Sequence, residues 1–231
     1  MRHEFDRRGV LMAGAALGAT TALTAALPGI AHADEMAQAA EGAQPPADPR
    51  WSGGTSANGW PVLEEAKGFR IEGSGQSVRL ADGDAAVILL HVARRFHYEV
   101  DQLRAGDVTG HSTDRTVTQD YESNHLSGSA LAIRPHAYPA GVKGGLYPQE
   151  LVVVRDILAE LDGVVAWGGD FGTPKESHFE IAYRPGHPKV KGVARTIRGW
   201  RDGPGNEGAG TVDAFDPRRR RRAQAFARHA A

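Results

Sequence analysis

Residues 123–132 of this 231-residue chain read Ser-Asn-His-Leu-Ser-Gly-Ser-Ala-Leu-Ala, and a second distinctive stretch follows about 35 residues later. There, residues 167–170 read Trp-Gly-Gly-Asp and residues 178–180 read His-Phe-Glu. Each stretch carries one histidine. The chain has no cysteine, so any bound metal must be held by histidine and carboxylate side chains, and ten histidines make that feasible.

Together the two stretches resemble the zinc D-alanyl-D-alanine carboxypeptidases and the related peptidoglycan L-alanyl-D-glutamate endopeptidases. The family pattern is Ser-x-His-x-x-Gly-x-Ala-x-Asp, followed by Trp-Gly-Gly-Asp and His-Phe-Glu, and the resemblance covers about residues 60–182. It implies a Hedgehog/DD-peptidase-like α+β fold, in which helices flank a small antiparallel sheet and the two histidines approach each other across a cleft. It also implies an exported zinc metallopeptidase that acts on peptidoglycan stem peptides.

Carried over by position, His125 and His178 match two zinc ligands of the family, and Ser123 matches the serine beside the substrate. Arg115 lies at the rough place of an arginine that holds substrate oxygens. In such a site three protein ligands leave one position for a water molecule, whose pKa the metal lowers toward ~7. The resemblance therefore implies zinc as the cofactor.

Two positions depart from the family pattern. Ala132 stands where the third ligand, an aspartate, is expected, and Lys175 stands where the general-base carboxylate is expected. A methyl group cannot bind zinc, and a protonated lysine cannot accept a proton from water. Three interpretations remain: a metallopeptidase with a rearranged site, a catalytically impaired protein that binds peptidoglycan, or an exported globular domain with no relation to peptidoglycan.

Neighbouring residues offer substitutes for the missing groups. If Glu176, His178 and Glu180 lie in one extended strand, their side chains share a face. Glu176 then becomes the candidate catalytic base, and Glu180 a candidate ligand; the plainer interpretations are an exposed loop carboxylate and a residue that orients the histidine. Further candidates for the third ligand are Asp114, His136 and Asp170.

The first 33 residues are typical of a twin-arginine-like export signal. Arg7 and Arg8 precede an uncharged stretch that ends in the small-residue site Ala31-His32-Ala33. The alternative is an uncleaved N-terminal anchor, which would be the protein's one membrane contact. We therefore expect an exported protein that works outside the cell, in the cell wall or in the periplasm.

The remaining chain divides into a linker at residues 34–59, a peptidase-like domain at residues 60–200 and a basic tail at residues 201–231. Helical spacing of apolar residues predicts helices at residues 84–103, 148–161 and 188–200. Short β-prone or apolar runs predict strands at residues 69–71, 78–80, 164–167 and 178–182.

The net charge and the distribution of charge along the chain indicate which kinds of partner the protein can bind. The formal net charge of -1 gives no overall field that would recruit nucleic acid. The tail nevertheless contains five consecutive arginines, residues 218–222. Such a run is typical of a solvated, mobile tail, and contact with an anionic cell-wall polymer or with lipid headgroups is the alternative.

Overall fold

The computed structural model describes residues 50–202 and 212–230. The predicted export signal and most of the predicted linker lie outside these residues. Within the described part of the chain, no helix combines the length and the apolar character needed to cross a membrane.

The fold is α+β, as the sequence predicts. Its strands are β1 Lys67–Arg70, β2 Ser77–Leu80, β3 Val108–Thr109, β4 Ala130–Ile133, β5 Val165–Trp167 and β6 His178–Ile181. Its α-helices are α1 Asp84–Glu99, α2 Pro148–Glu160, α3 Pro188–Asp202 and α4 Pro217–Ala230. Two 3-10 helices, Asp120–His125 and Gly168–Asp170, lie beside the sheet.

Four strands form an antiparallel sheet in the order β3-β4-β6-β5, and β1 pairs with β2 in a separate hairpin. The pairing of β4 with β6 joins the two sequence motifs, because Ala132 lies opposite His178 and Ala130 lies opposite Glu180. The Ile133 N–H donates to the Ser177 carbonyl at 2.8 Å, so Ala132 and His178 form a pair that exchanges no backbone hydrogen bonds. Side chains approach most closely in such pairs.

Helix α1 contributes a continuous apolar stripe to the core. Its apolar stripe, which includes Ile88, Leu89, Val92 and Phe96, is almost fully buried. The helix ends at Glu99, four residues earlier than predicted, because the chain turns there and the Leu103 N–H donates to the His97 ring at 2.9 Å. Leu103 still enters the core from the loop.

The folded part begins earlier than residue 60, where the sequence places it. Trp51 N–H donates to the Arg115 carbonyl at 2.8 Å, and the buried Ser56 hydroxyl bonds Ser127 at 3.0 Å. These residues join the domain through hydrogen bonds of small polar groups. Composition does not reveal such contacts, because it registers only the shortage of large apolar residues.

The arginine run does not lie in a solvated tail. It forms the first turns of α4, and Arg219 pairs with Asp156 at 2.7 Å and with Glu160 at 3.0 Å on α2. The same two carboxylates bind the buried Arg95 of α1 at 2.9 and 3.0 Å. Burial raises the pKa of Glu160, but hydrogen bonds from His91 and the charge of Arg95 outweigh it and lower the pKa to about 2.

Arg95 holds this cluster together, so its removal should be costly. The Arg95→Met variant should lose about 3–5 kcal/mol of unfolding free energy, because buried carboxylates are left unpaired. The matched control is Lys67→Met, which breaks an exposed pair with Asp82 and should change the unfolding free energy far less, because solvent screens that pair. Urea denaturation compares the two. Equal losses would contradict a structural role for the cluster.

Candidate functional site

The two motif histidines meet at the centre of the site. His125 closes the first 3-10 helix, His178 opens β6, and His125 Nε2 lies 3.3 Å from His178 Nδ1. Two imidazole nitrogens bound to one tetrahedral zinc at Zn–N distances of about 2.0–2.1 Å are separated by roughly 3.3–3.4 Å. The pair therefore has the spacing of two ligands of one metal ion.

The hydrogen bonds of His125 fix where its lone pair lies. His125 Nδ1 is 2.9 Å from the Gly110 carbonyl, which can only accept, so Nδ1 carries the proton. Burial, together with the nearby His178 and Lys175, lowers the pKa of His125 to about 3. The ring is neutral at pH 7, and the lone pair of its Nε2 faces His178.

A short polar chain orients His178. Its Nε2 is 2.7 Å from Glu180 Oε2, which also accepts a hydrogen bond from Asn124 Nδ2 at 2.7 Å. Asn124 Oδ1 in turn accepts from the Asn58 N–H at 3.0 Å. Both ring nitrogens of His178 therefore face hydrogen-bond acceptors, namely the Nε2 lone pair of His125 and the Glu180 carboxylate. A neutral imidazole has only one N–H to donate. A cation between His125 Nε2 and His178 Nδ1 would relieve this conflict.

The aromatic and charged side chains of Tyr121, Phe171 and Lys175 lie over the two histidines, and we call them the cover. The Tyr121 ring is centred 4.9 Å from His178 and 4.9 Å from Phe171. Burial, with the carboxylates of Glu122 and Glu180, raises the pKa of Tyr121 to about 12. Among the described residues, nothing forms a hydrogen bond with its buried hydroxyl. The cover makes His178 fully buried.

Lys175 completes the cover. Its ammonium donates to Glu122 Oε1 at 2.8 Å, and both side chains are 19% exposed. Burial raises the pKa of Glu122, but the hydrogen bonds from Lys175 and from the Thr118 N–H outweigh it and lower that pKa. The position of the expected base is thus held by a paired cation near His125.

Two glycines of the motifs permit this geometry. Gly128 has a φ of 66°, and an added Cβ would lie 2.6 Å from the Ala81 nitrogen. A Cβ on Gly168 would lie 2.2 Å from the Lys175 carbonyl oxygen and 3.0 Å from the His178 Cβ. These close backbone approaches hold the histidine-bearing segments in place, and only glycine fits them.

Glu176 lies outside β6, in the turn that precedes it, so it does not share the face of His178 and Glu180. Its carboxylate accepts backbone hydrogen bonds from Gly144 at 2.7 Å, Gly145 at 2.8 Å and Leu146 at 3.3 Å. The Glu176 side chain is buried, and it anchors the loop that leads to α2. These three hydrogen bonds give the Glu176 carboxylate a structural role.

Ser123 and Arg115 also have structural partners. The buried Ser123 hydroxyl donates to the Asp120 carbonyl at 2.6 Å and accepts from the Ala57 N–H at 2.9 Å. Arg115 donates to the Trp51 carbonyl at 3.2 Å and the Gly53 carbonyl at 3.3 Å. Both residues tie the segment 50–59 to the domain.

The other candidates for a third ligand have separate environments. Asp170 is bound by both terminal nitrogens of Arg155, at 2.5 and 2.6 Å. Asp114 accepts from the Thr116 N–H at 2.9 Å, and His136 is exposed. Across residues 50–202 and 212–230, no group of three histidine, aspartate or glutamate side chains is placed to hold a metal ion.

Zinc therefore fits this site only in part. His125 Nε2 and His178 Nδ1 have the spacing of two ligands of one metal ion, and the residue that pairs with His178 across the sheet, Ala132, has no donor atom to offer. The residues present thus do not make up the three-ligand set of a hydrolytic zinc centre.

A groove of about 600 Å³ lies beside the histidine pair, on the side of Glu180. Its lining combines aromatic rings, amides and carboxylates and has no lysine, arginine or histidine: Ala57, Asn58, Thr118, Gln119, Asp120, Tyr121, Asn124, Phe171, Glu180 and Ala182. The sequence motifs assign no role to Tyr121, Phe171 or Asn124. Asn124 nevertheless lies in the first motif, beside His125, and that position is a signal for a role in the site.

Comparison of the chain with models of protein families, with curated proteins and with solved structures finds no match.

The neutral state of His125 predicts a pH dependence of stability in metal-free protein. Between pH 6.5 and about 3 the unfolded chain binds a proton that the folded chain does not, so stability falls as the pH falls. This residue contributes up to about 1.4 kcal/mol per pH unit. Urea denaturation of wild type and His125→Asn, with a chelator, at pH 7 and pH 5 tests this. Wild type should lose more unfolding free energy; parallel losses would contradict the assignment.

Proposed function

We propose that this chain is an exported peptidoglycan-binding protein, built on the frame of a zinc D-alanyl-D-alanine carboxypeptidase but without that family's hydrolytic machinery. The observation that carries the proposal is the position of Ala132, directly opposite His178 in the sheet. Cβ atoms of such a pair lie about 4.5–5.5 Å apart. A carboxylate at position 132 would reach the metal that His178 binds, whereas the methyl group cannot.

The position of Lys175 supports the same conclusion. An ammonium that donates to Glu122 has no lone pair for a proton from water. Its positive charge also opposes a cation at the neighbouring histidines. Glu176 offers no replacement, because three backbone N–H groups already bind its carboxylate.

The groove supports a binding role. Aromatic rings of Tyr121 and Phe171 provide an apolar surface, and the amides of Asn58 and Gln119 can pair with peptide groups. Because the charged groups of its lining are the carboxylates Asp120 and Glu180, the groove suits a cationic group. The free side-chain amine of a stem-peptide diamino acid has this chemistry, and aromatic faces also attract an ammonium.

Zinc belongs to this proposal as a weakly held ion. After dialysis, elemental analysis of the protein should find well below one equivalent of zinc, and still less in His125→Ala, because two protein ligands bind zinc more weakly than three. Stoichiometric zinc in wild type that is lost in His125→Ala would contradict the proposal. It would mean that a substitute ligand exists and would favour the metallopeptidase.

The binding role is tested with a synthetic stem pentapeptide that carries a free side-chain amine and ends in D-alanyl-D-alanine. Calorimetry should detect binding, while chromatography finds no release of D-alanine or of a shorter peptide when zinc is supplied. Phe171→Ala should weaken binding about tenfold, by loss of an aromatic contact. The control is Tyr98→Ala, an exposed aromatic outside the groove lining.

The same peptide with an acetylated side-chain amine tests recognition of the ammonium group separately from binding of the peptide. It should bind about tenfold more weakly if the carboxylates of the groove recognise the ammonium. Equal binding would remove the amine assignment. Cleavage of either peptide by wild type would overturn the non-hydrolytic role.

A further inference from the structure

Helix α4 carries an exposed group of cations, which we call the arginine face: Arg218, Arg220, Arg221 and Arg222. All four side chains are exposed, whereas Arg219 turns inward to Asp156 and Glu160 on α2. The arginine face therefore lies on an ordered helix that is anchored to the domain. Anchoring gives the four charges a fixed arrangement that a mobile tail would lack.

Within residues 50–202 and 212–230, the ion pairs of α4 all come from Arg219. Asp216, before the start of the helix, uses its side chain as a cap, accepting from the Arg218 N–H at 2.8 Å and the Arg219 N–H at 3.1 Å. These hydrogen bonds, with the charges of Arg218 and Arg221, lower the pKa of Asp216, so this one carboxylate offsets part of the positive charge. The arginine face is thus a strongly positive surface on a chain of net charge -1.

The stability of the fold does not account for the arginine face. Cations in the first turns of a helix oppose the helix dipole, and adjacent like charges repel each other. Docking of α4 uses Arg219 and the inward apolar residues, with Ala223 buried and the Phe226 ring beside Gly163. The four outward arginines take no part in these contacts.

We propose that the arginine face binds a linear polymer of phosphodiester units. Guanidinium groups bind phosphate oxygens in a bidentate manner and are only weakly hydrated, so a cluster of them favours phosphate. Four charges along little more than one helical turn exceed what a single phosphate can engage, whereas a chain of phosphates can contact them together. This partner and its site differ from the peptide and the groove proposed above.

The helix also argues against a lipid bilayer as the principal partner. A helix that binds a bilayer inserts apolar side chains between the lipids. Of the apolar residues of α4, Ala223 is buried and Phe226 packs against the core, so neither is available for insertion, and a bilayer would engage the arginine face by charge.

Inorganic polyphosphate is the probe for the test, with the full chain and binding measured by calorimetry at several salt concentrations. Wild type should bind, with an affinity that falls steeply as salt rises. Replacing all four arginines of the face by glutamine should weaken binding at least about tenfold. The matched control, R70Q/R79Q/R104Q/R184Q, removes four exposed arginines elsewhere and should bind within about twofold of wild type.

A variant with lysine at the four positions keeps the charge and removes the planar guanidinium. It should bind polyphosphate more weakly than wild type. If the glutamine variant fails to fold, the lysine variant still tests whether the guanidinium groups bind phosphate. No binding at low salt, equal loss in the matched control, or a lysine variant equal to wild type would overturn the proposal. So would binding to phosphatidylglycerol vesicles without binding to polyphosphate.

Discussion

The antiparallel pairing of β4 with β6 is the constraint on which the rest of the site depends. It places two segments that lie about 50 residues apart in sequence side by side, with Ala132 opposite His178 and Ala130 opposite Glu180. Once this register is set, His125 at the end of the preceding 3-10 helix meets His178. A slip of one residue would send His178 and Glu180 to the other face of the sheet.

With β4 and β6 paired in this register, close backbone contacts and hydrogen bonds hold the residues of the site in place. Glycine at positions 128 and 168 lets backbone segments approach closely, and the chain from Asn58 through Asn124 and Glu180 fixes the His178 ring. The result is a pair of nitrogen donors held at metal-ligand spacing, next to a methyl group and a paired lysine. Under the function proposed above, these two residues stand in place of the groups that would complete hydrolysis.

The sequence allows part of this arrangement to be predicted. The meeting of His125 and His178 follows from the two motifs, and the helices follow from apolar spacing. The role of Glu176 could not be predicted, because the residue pattern does not show where the strand begins. The strand instead begins at His178, and the N–H groups of residues 144–146 bind the Glu176 carboxylate.

The docking of α4 was also beyond the sequence pattern. A run of arginines indicates solvation, and the buried carboxylates that receive Arg219 lie about 60 residues earlier, on a different helix. Likewise, residues 50–59 join the domain through small polar groups such as Ser56. In both cases the deciding contacts are specific long-range polar ones, which have no periodicity in the sequence.

The most direct test of the central claim is the zinc dissociation constant of wild type, Ala132→Asp and Ala132→Asn, measured by competition with a chromogenic chelator. If the frame is intact and lacks only the third ligand, the aspartate variant should bind zinc at least about tenfold more tightly than wild type. The asparagine variant, of similar size but without the charge, should bind much less tightly than the aspartate variant. Equal affinities for wild type and the aspartate variant would contradict the account, because position 132 would then not lie at the third ligand position of the histidine pair.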